Sequence, residues 1–577
     1  MTEHSFIRTL RHLAPAMPCL LFLVAFFCVP VVEILQTGVV NADGHFTGEQ
    51  FHRLVKDTVF LKVLWTTFSI SGLTALFSVV LGFPLAYYLS QMSESTRERW
   101  MLWIMVPFWT SYLVKTFAWI LVLSKTGVLL TVASALGLVS DPAPLVPSML
   151  GVMVGMVHAM LPLAVINMLP IMRGVNAQFL QAAETLGASR SVSFFSVFLP
   201  MAAPGVAAAG LLVFITTLGF FILPALLGSP KETMVAQMVI QAINELFNLP
   251  YAAALSAVLL VSAVAVFLLY DKLVGLSSLS GDTRASSNRK SAAWSTLALI
   301  SIGRILGGGY RMAGPMVSRL NGLKTYGFLM VALLSLPIVI VFPIAFTDSS
   351  FLSFPPKGFS LRWFDTFITS SVWQASFIRS LGVAAVTAVL STVLGVGAVL
   401  ALTRLPGRWS KPVFAFLLAP LIVPRIVVAV GLFYLFSRLG LVGTDLGLTI
   451  GHTVLAIPYV VVTMAAALKR FDWRLDDAAK ILGASAFTRQ RTVHLPIMIG
   501  SVAAAMQMAF VISFDELTIA IFVSGGMKNT LPKQMWDDMV LQVNPTLAAV
   551  SLVMVVIIAL LVITPSFYKK IRRAKAV

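Results

Sequence analysis

Cysteine is almost missing from this chain. Cys19 and Cys28 are the only two in 577 residues, too few for a disulfide framework or a multi-cysteine metal site. Charge is scarce as well, at 11% of residues against roughly 25% in an ordinary soluble chain. Acids are the scarcer sign, with 23 Asp and Glu against 41 Lys and Arg. No Gly-x-x-x-x-Gly-Lys-[Ser/Thr] phosphate loop occurs; the nearest stretch, Gly322-Leu323-Lys324-Thr325, lacks the leading glycine and the Gly-Lys pair. These absences exclude a secreted mini-protein, a disordered chain and a cytosolic enzyme. What remains is apolar: 58% of residues are hydrophobic and the mean hydropathy is +0.92.

A membrane helix needs about 20 mostly apolar residues, and twelve such stretches are present. They cover 13–36, 62–90, 100–124, 148–172, 203–228, 250–271, 326–347, 380–403, 412–436, 446–468, 498–524 and 548–568. None shows the short alternating pattern of a barrel strand. The expected class is therefore an all-α polytopic membrane protein. The net charge of +18 first suggests nucleic-acid binding, but its distribution argues otherwise. The N-terminal tail, every second loop and the C-terminal tail together hold 28 Lys and Arg, whereas the six opposite loops hold 9. Basic residues are retained on the cytoplasmic side, so both termini are expected there, with the bilayer and not nucleic acid as the partner.

The chain also repeats itself. Val80-Leu81-Gly82 recurs as Val393-Leu394-Gly395, and Pro107 as Pro420, at an offset of 313. From Gly155/Gly451 and Pro162/Pro458 onward the offset is 296, which places a 17-residue difference in the external loop 125–147. Two parallel six-span repeats are expected, 1–274 and 323–577, fused through a Ser/Gly/Arg-rich cytoplasmic linker at 275–322. Its short apolar run 293–306 is read as an interfacial helix, with an unstructured tether as the alternative. A pathway between the repeats is the architecture such a duplication implies.

One motif occurs in both cytoplasmic loops that follow the fourth span of each half. The first copy is Gln181-Ala182-Ala183-Glu184-Thr185-Leu186-Gly187, then nine residues, then Val197-Phe198-Leu199-Pro200. The second is Asp477-Ala478-Ala479-Lys480-Ile481-Leu482-Gly483, then nine residues, then Val493-His494-Leu495-Pro496. Paired alanines favour helix and admit a close neighbour. Asp476 and Asp477 suit the first turn, Gly187 and Gly483 suit a left-handed cap, and Pro200 and Pro496 suit the first turn of the next span. Each copy thus reads as a short helix offered to a groove on another protein.

These residues resemble the EAA loop of ABC importer permeases, with Gln181 and Asp477 in place of the glutamate and Val197 and Val493 in place of an isoleucine. Thr217–Gly228 and Pro107–Lys115 look like the first permease of spermidine/putrescine-type importers, and Ser513–Leu517 and Thr530–Asp538 like its partner. The resemblance covers nearly the whole chain. It implies a type I permease fold in a bacterial inner membrane and no catalytic residue or metal in this chain. It further implies docking of both loops on a cytosolic ATPase dimer that binds ATP and Mg2+, and delivery of solute by an extracytoplasmic binding protein. The ATPase-coupling residues would be Gln181, Ala182, Ala183, Gly187, Leu199 and Pro200, with Asp477, Ala478, Ala479, Gly483, Leu495 and Pro496 in the second half.

Charge inside spans is costly and marks candidate pathway residues. Asp515 and Glu516 lie about 26 Å along the eleventh span at 1.5 Å per residue, and the 296 offset aligns them with Gly219 and Phe220. One acidic half facing one permissive half suits an amine-bearing solute such as a polyamine. Adjacent helical residues point about 100° apart, so only one of the pair is expected to face the pathway. Arg425 and Lys115 keep an anionic or zwitterionic solute such as a phosphonate or opine open, and the family also carries ferric ion. A structural pairing of Arg425 with the acids would cancel both signals. An ion-coupled secondary transporter is the alternative class, although it leaves the twin loops unexplained.

Overall fold

The computed structural model describes residues 12–39, 45–139, 143–274, 319–356, 358–526, 528–541 and 543–575. Most of the linker expected at 275–322, with its apolar run 293–306, lies outside the described residues. Among the described residues the fold is helical, with one isolated antiparallel bridge between Thr347 and Phe359. In the first half the helices are α1 (Ala14–Val39), α2 (Glu49–Lys56), α3 (Thr58–Ser90), α4 (Glu94–Trp109), α5 (Tyr112–Leu123) and α6 (Val128–Ala135). They continue with α7 (Met149–Gly174), α8 (Ala177–Thr185), α9 (Arg190–Leu218), α10 (Ile222–Leu227), α11 (Val235–Asn244) and α12 (Leu249–Val274). The second half holds α13 (Arg319–Ala345), α14 (Arg362–Thr369), α15 (Ser371–Leu402), α16 (Gly407–Ile422), α17 (Arg425–Leu439) and α18 (Asp445–Leu468). It ends with α19 (Arg474–Ile481), α20 (Phe487–Phe514), α21 (Thr518–Val523), α22 (Leu531–Leu541) and α23 (Thr546–Lys575).

The duplication is visible in helix boundaries. The starts of α2–α5 and α14–α17 differ by 313 residues, and those of α7–α12 and α18–α23 by 296 to within one residue. Only α6 has no counterpart, and it occupies the segment where the offset changes. Val80 and Val393 are exposed on equivalent apolar faces, as expected of lipid-facing positions. The helices start on side-chain caps where the sequence provides them: Asp57 accepts from Val59 N–H at 2.8 Å to open α3, and Thr444 from Gly447 N–H at 3.0 Å to open α18. Such caps satisfy backbone donors that a helix leaves free.

All twelve apolar stretches are helical, yet four are not single rods as read from the sequence. The stretches 100–124 and 412–436 break at Thr110–Ser111 and Val423–Pro424, the second by 92°. Those at 203–228 and 498–524 break at Gly219–Phe221 and Asp515–Leu517. A residue preceding proline is driven out of the helical region, and Val423 is accordingly extended. Ser111 is extended too, and its hydroxyl accepts from Leu113 N–H at 3.2 Å. Pro200 and Pro496 stand in the first turn of the α-helical stretches Leu199–Leu218 and Leu495–Phe514, as read, but neither stretch begins at a free end. Wide π-turns, Phe194–Phe198 and Gln490–His494, already lead into them, and these make room for rings that carry no N–H to return.

The two halves interlock through their first spans. Helix α1 packs on α15 and α17 of the second half, while α13 packs on α3, α4 and α5 of the first. Tyr326 Oη donates to the Leu81 carbonyl at 2.6 Å, and a ring nitrogen of His158 lies 3.2 Å from the Leu334 carbonyl. Arg438 faces Glu33 at 3.6 Å on the opposite side.

Candidate solute site and docking loops

The four helix breaks meet where the halves face each other. There they enclose a cavity of about 230 Å³, lined by Trp109, Tyr112, Gly219, Arg425, Tyr459 and Asp515 among others. Helices α5 and α17 begin at this cavity, and α9 and α20 end at it. The geometry is pseudo-symmetric with a chemical difference. Asp515 is hydrogen-bonded to the Ser111 hydroxyl and the Tyr112 backbone N–H, so a carboxylate of the second half answers the N-terminus of α5. The equivalent approach pairs Gly219 with the start of α17. A Cβ on Gly219 would lie 2.9 Å from Pro424 Cβ, leaving no room for a side chain.

Glu516 turns away from the cavity and is only 2% exposed. Its Oε2 accepts from Ile519 N–H at 2.9 Å and Ala520 N–H at 3.3 Å, which caps α21. The same atom lies 3.6 Å from His452 Nε2, while His452 Nδ1 is 2.8 Å from Ser513 Oγ. Lys115 is likewise buried off the cavity, with Nζ donating to the Phe108 carbonyl at 3.2 Å and standing 4.8 Å from the Tyr112 ring centre. Arg425 does line the cavity and donates to Tyr459 Oη at 3.3 Å. Among the described residues it makes no ion pair, so the acid pairing left open for it is not formed.

The two alanine-glycine segments form matching exposed knobs. Helix α8 has no buried residue and is capped by Asn176, whose side chain accepts from Gln178 N–H at 2.9 Å. Gly187 and Gly483 take φ values of +89° and +80°, a left-handed conformation that side chains resist. In each copy the glycine N–H returns to the residue three before it, and the following N–H to the alanine five before, Ala183 or Ala479. That bond pair is a Schellman cap. It leaves Leu186 and Leu482 at equivalent tips, 89% and 86% exposed.

Below the tips the copies differ. In the second, buried Asp476 accepts from Arg489 Nε at 2.8 Å, lies 3.0 Å from His494 Nε2 and meets Lys480 Nζ at 2.8 Å. Burial alone would raise its carboxyl, but hydrogen bonds from Lys480 and Arg489 outweigh it and hold the group down at about 2. Asp477 is exposed and contacts Lys480 at 2.8 Å. The first copy has Leu180, Ser193 and Phe198 at the positions of Asp476, Arg489 and His494. Ser193 Oγ donates to the Leu180 carbonyl at 3.2 Å, and Phe198 stacks on Phe194 and meets Tyr87 edge-on.

The family described as "Binding-protein-dependent transport system inner membrane component" matches this chain twice, over residues 78–275 and 393–573. The chain belongs to that family. It is thus a multi-pass inner-membrane permease made of two family repeats, each containing one knob and one wall of the cavity. The permease is 27% identical over 256 residues to the spermidine/putrescine transport system permease protein PotB of Haemophilus influenzae, covering 43% of this chain and 89% of that one. It is 30% identical over 262 residues to the corresponding PotC of Escherichia coli strain K12, covering 45% and 93%. Each relative therefore matches about half of the permease. A solved bacterial ABC transporter involved in import of the acidic polysaccharide alginate is 19% identical, with a TM-score of 0.42, over 47% of this chain and 97% of that chain.

Of the residues singled out in the spans, the structure gathers Asp515, Arg425 and Gly219 at one cavity and leaves Glu516 and Lys115 behind its wall. It adds Tyr112 and Tyr459 to the lining of the permease cavity, Ser111 as a buried partner of Asp515, and an ion cluster around Asp476 at the base of the second knob. Ser111 carried a readable signal, a serine directly before an apolar run, which is an N-cap pattern. Tyr459 carried none, and Asp476 was legible only as a first-turn acid, because each meets its partner only after the chain has folded back.

Proposed function

We propose that this permease is the membrane part of an ATP-driven importer. Solute arrives from an extracytoplasmic binding protein and passes between the halves. A cytosolic ATPase dimer, holding ATP and Mg2+, docks on α8 and α19. The observation that carries this reading is the pair of exposed knobs with the same cap and an exposed leucine at each tip, because an apolar tip repeated at equivalent places suits a partner surface. Both termini and both knobs lie on the cytoplasmic side in this proposal, as the charge distribution requires.

The solute proposed is small, polar and amine-bearing, a polyamine or a related amine. Two things support it: Asp515 at the cavity, and relatives named for spermidine and putrescine. Uptake should stop in Leu186→Asp and Leu482→Asp variants and fall at least tenfold in Asp515→Asn, assayed with labelled substrates in cells expressing the whole transporter. Uptake that survives ATP depletion while the proton gradient is kept would overturn the reading in favour of ion-coupled transport.

A further inference from the structure

The two helix N-termini at the cavity are answered unequally. At α5 the chain supplies its own acceptors: Ser111 caps Leu113 N–H, and Asp515 takes the next donor and the nearby charge of Lys115. At α17 no side chain caps the helix, since its N-cap residue is Pro424. The position facing it is Gly219, where even a Cβ is crowded. The first residue of α17 is Arg425, which lines the cavity with one neutral hydroxyl as its partner. So the Asp515 carboxylate has no counterpart in the first half, and a guanidinium faces the cavity at the start of α17.

The Arg425 guanidinium feels Glu516 and Asp515 only from beyond ion-pair distance, and a planar fork of donors is suited to carboxylates and other oxyanions. The free N–H groups at the start of α17 add to that preference. We infer that the transported solute carries an acidic group that seats on Arg425 during passage. Taken with the amine recognition proposed above, on which this inference rests, the cargo is a small zwitterion and not a bare polyamine. Arg425 repels a second ammonium, and Arg425 and Asp515 line the same cavity.

The test uses cells expressing the permease with its ATPase and binding protein. They are offered an equimolar mixture of putrescine, spermidine, γ-aminobutyrate, taurine and aminoethylphosphonate, and their contents are read by mass spectrometry. Wild type should accumulate at least one of the three zwitterions and neither polyamine. Arg425→Gln should reduce that accumulation by roughly tenfold or more, the loss expected for a charge-assisted hydrogen bond, and Arg425→Lys should restore part of it. The purified permease checks folding independently: a zwitterion should raise the thermal midpoint of wild type but not of Arg425→Gln. Polyamine accumulation, accumulation of no probe, or zwitterion uptake indifferent to Arg425→Gln would each overturn the inference. Polyamine uptake still blocked by Leu482→Asp would leave the importer reading intact. Uptake of any probe insensitive to that variant would remove the importer reading instead.

Discussion

Asp515 and Glu516 are adjacent acids with separate tasks, and their substitutions should differ in kind. Glu516 is a structural acceptor that holds the first turn of α21 through Ile519 and Ala520 N–H. Replacing it with leucine strands those buried donors. Glu516→Leu should therefore lower the stability of the purified protein by about 1–3 kcal/mol, the cost of unsatisfied buried groups, seen as a lower thermal midpoint in detergent. Glu516→Gln keeps an acceptor and should lose less; equal losses would show that the cap is unimportant. Gly219 offers the complementary case. Gly219→Ala places a Cβ 2.9 Å from Pro424 Cβ, and overpacking of this sort costs about 1–3 kcal/mol unless the walls move apart. Uptake should fall while the amount of protein in the membrane stays within twofold, as measured by quantitative immunoblot, since the strain falls on the cavity and not on the lipid-facing shell. The sequence marked this acid pair as out of place in an apolar span but could not assign the tasks. The helix ends at Phe514, so the 100° rule for a continuous helix did not apply there.

At the scale of elements, the knobs were the most legible feature, because alanine, glycine and proline act locally. A glycine that must take a positive φ announces itself at fixed spacing in both copies. The clamp beneath α19 was hidden, since Asp476 meets Arg489 and His494 only once the chain has reversed through Gly483. That clamp has a pH signature. An Asp held at about 2 when folded, against about 3.9 when unfolded, binds fewer protons in the folded state above its folded value. Its stabilisation is complete above the unfolded value and is lost as pH falls through the folded one. Protection of the amides across 474–489, relative to their intrinsic exchange rates, should therefore fall between about pH 4 and pH 2, while that of 177–193, held by Leu180 and aromatic rings, should not respond in step. Asp476→Ala should speed exchange of 474–489 already at neutral pH by leaving Arg489 and His494 without their partner. Matching pH responses in the two knobs would show that the ion cluster does not hold α19. The four helix breaks were equally hidden, because uniform apolar composition satisfies a span whether it is straight or bent.

At the scale of the whole molecule, each half depends on the other for its outer wall. Residues recurring at fixed offsets indicated two repeats, and the helix register bears that out, but nothing in the apolar runs of α1 and α13 says which half they cover. Long apolar helices lack the charged partners that would record a docking choice, and the recording contacts, Tyr326 to Leu81 and Arg438 to Glu33, are single polar points on otherwise interchangeable surfaces. The exchange of first spans makes a specific demand on assembly. If the connection at 275–318 serves only to keep the halves together, separate chains of residues 1–274 and 319–577 should reassemble when co-expressed, because α1 and α13 each bring their own recognition surface. Removing α1 should then disable the second half: α15 and α17 would lose the apolar surface that covers them, and Arg425 at the head of α17 would lose its fixed place. Co-purification through a tag on one chain, followed by uptake, separates the outcomes. Co-expressed complete halves should copurify and transport, whereas a first chain starting at residue 45 should copurify poorly and restore no uptake. Full activity from that shortened pair would mean that α1 is only an anchor and that the cavity is built without it.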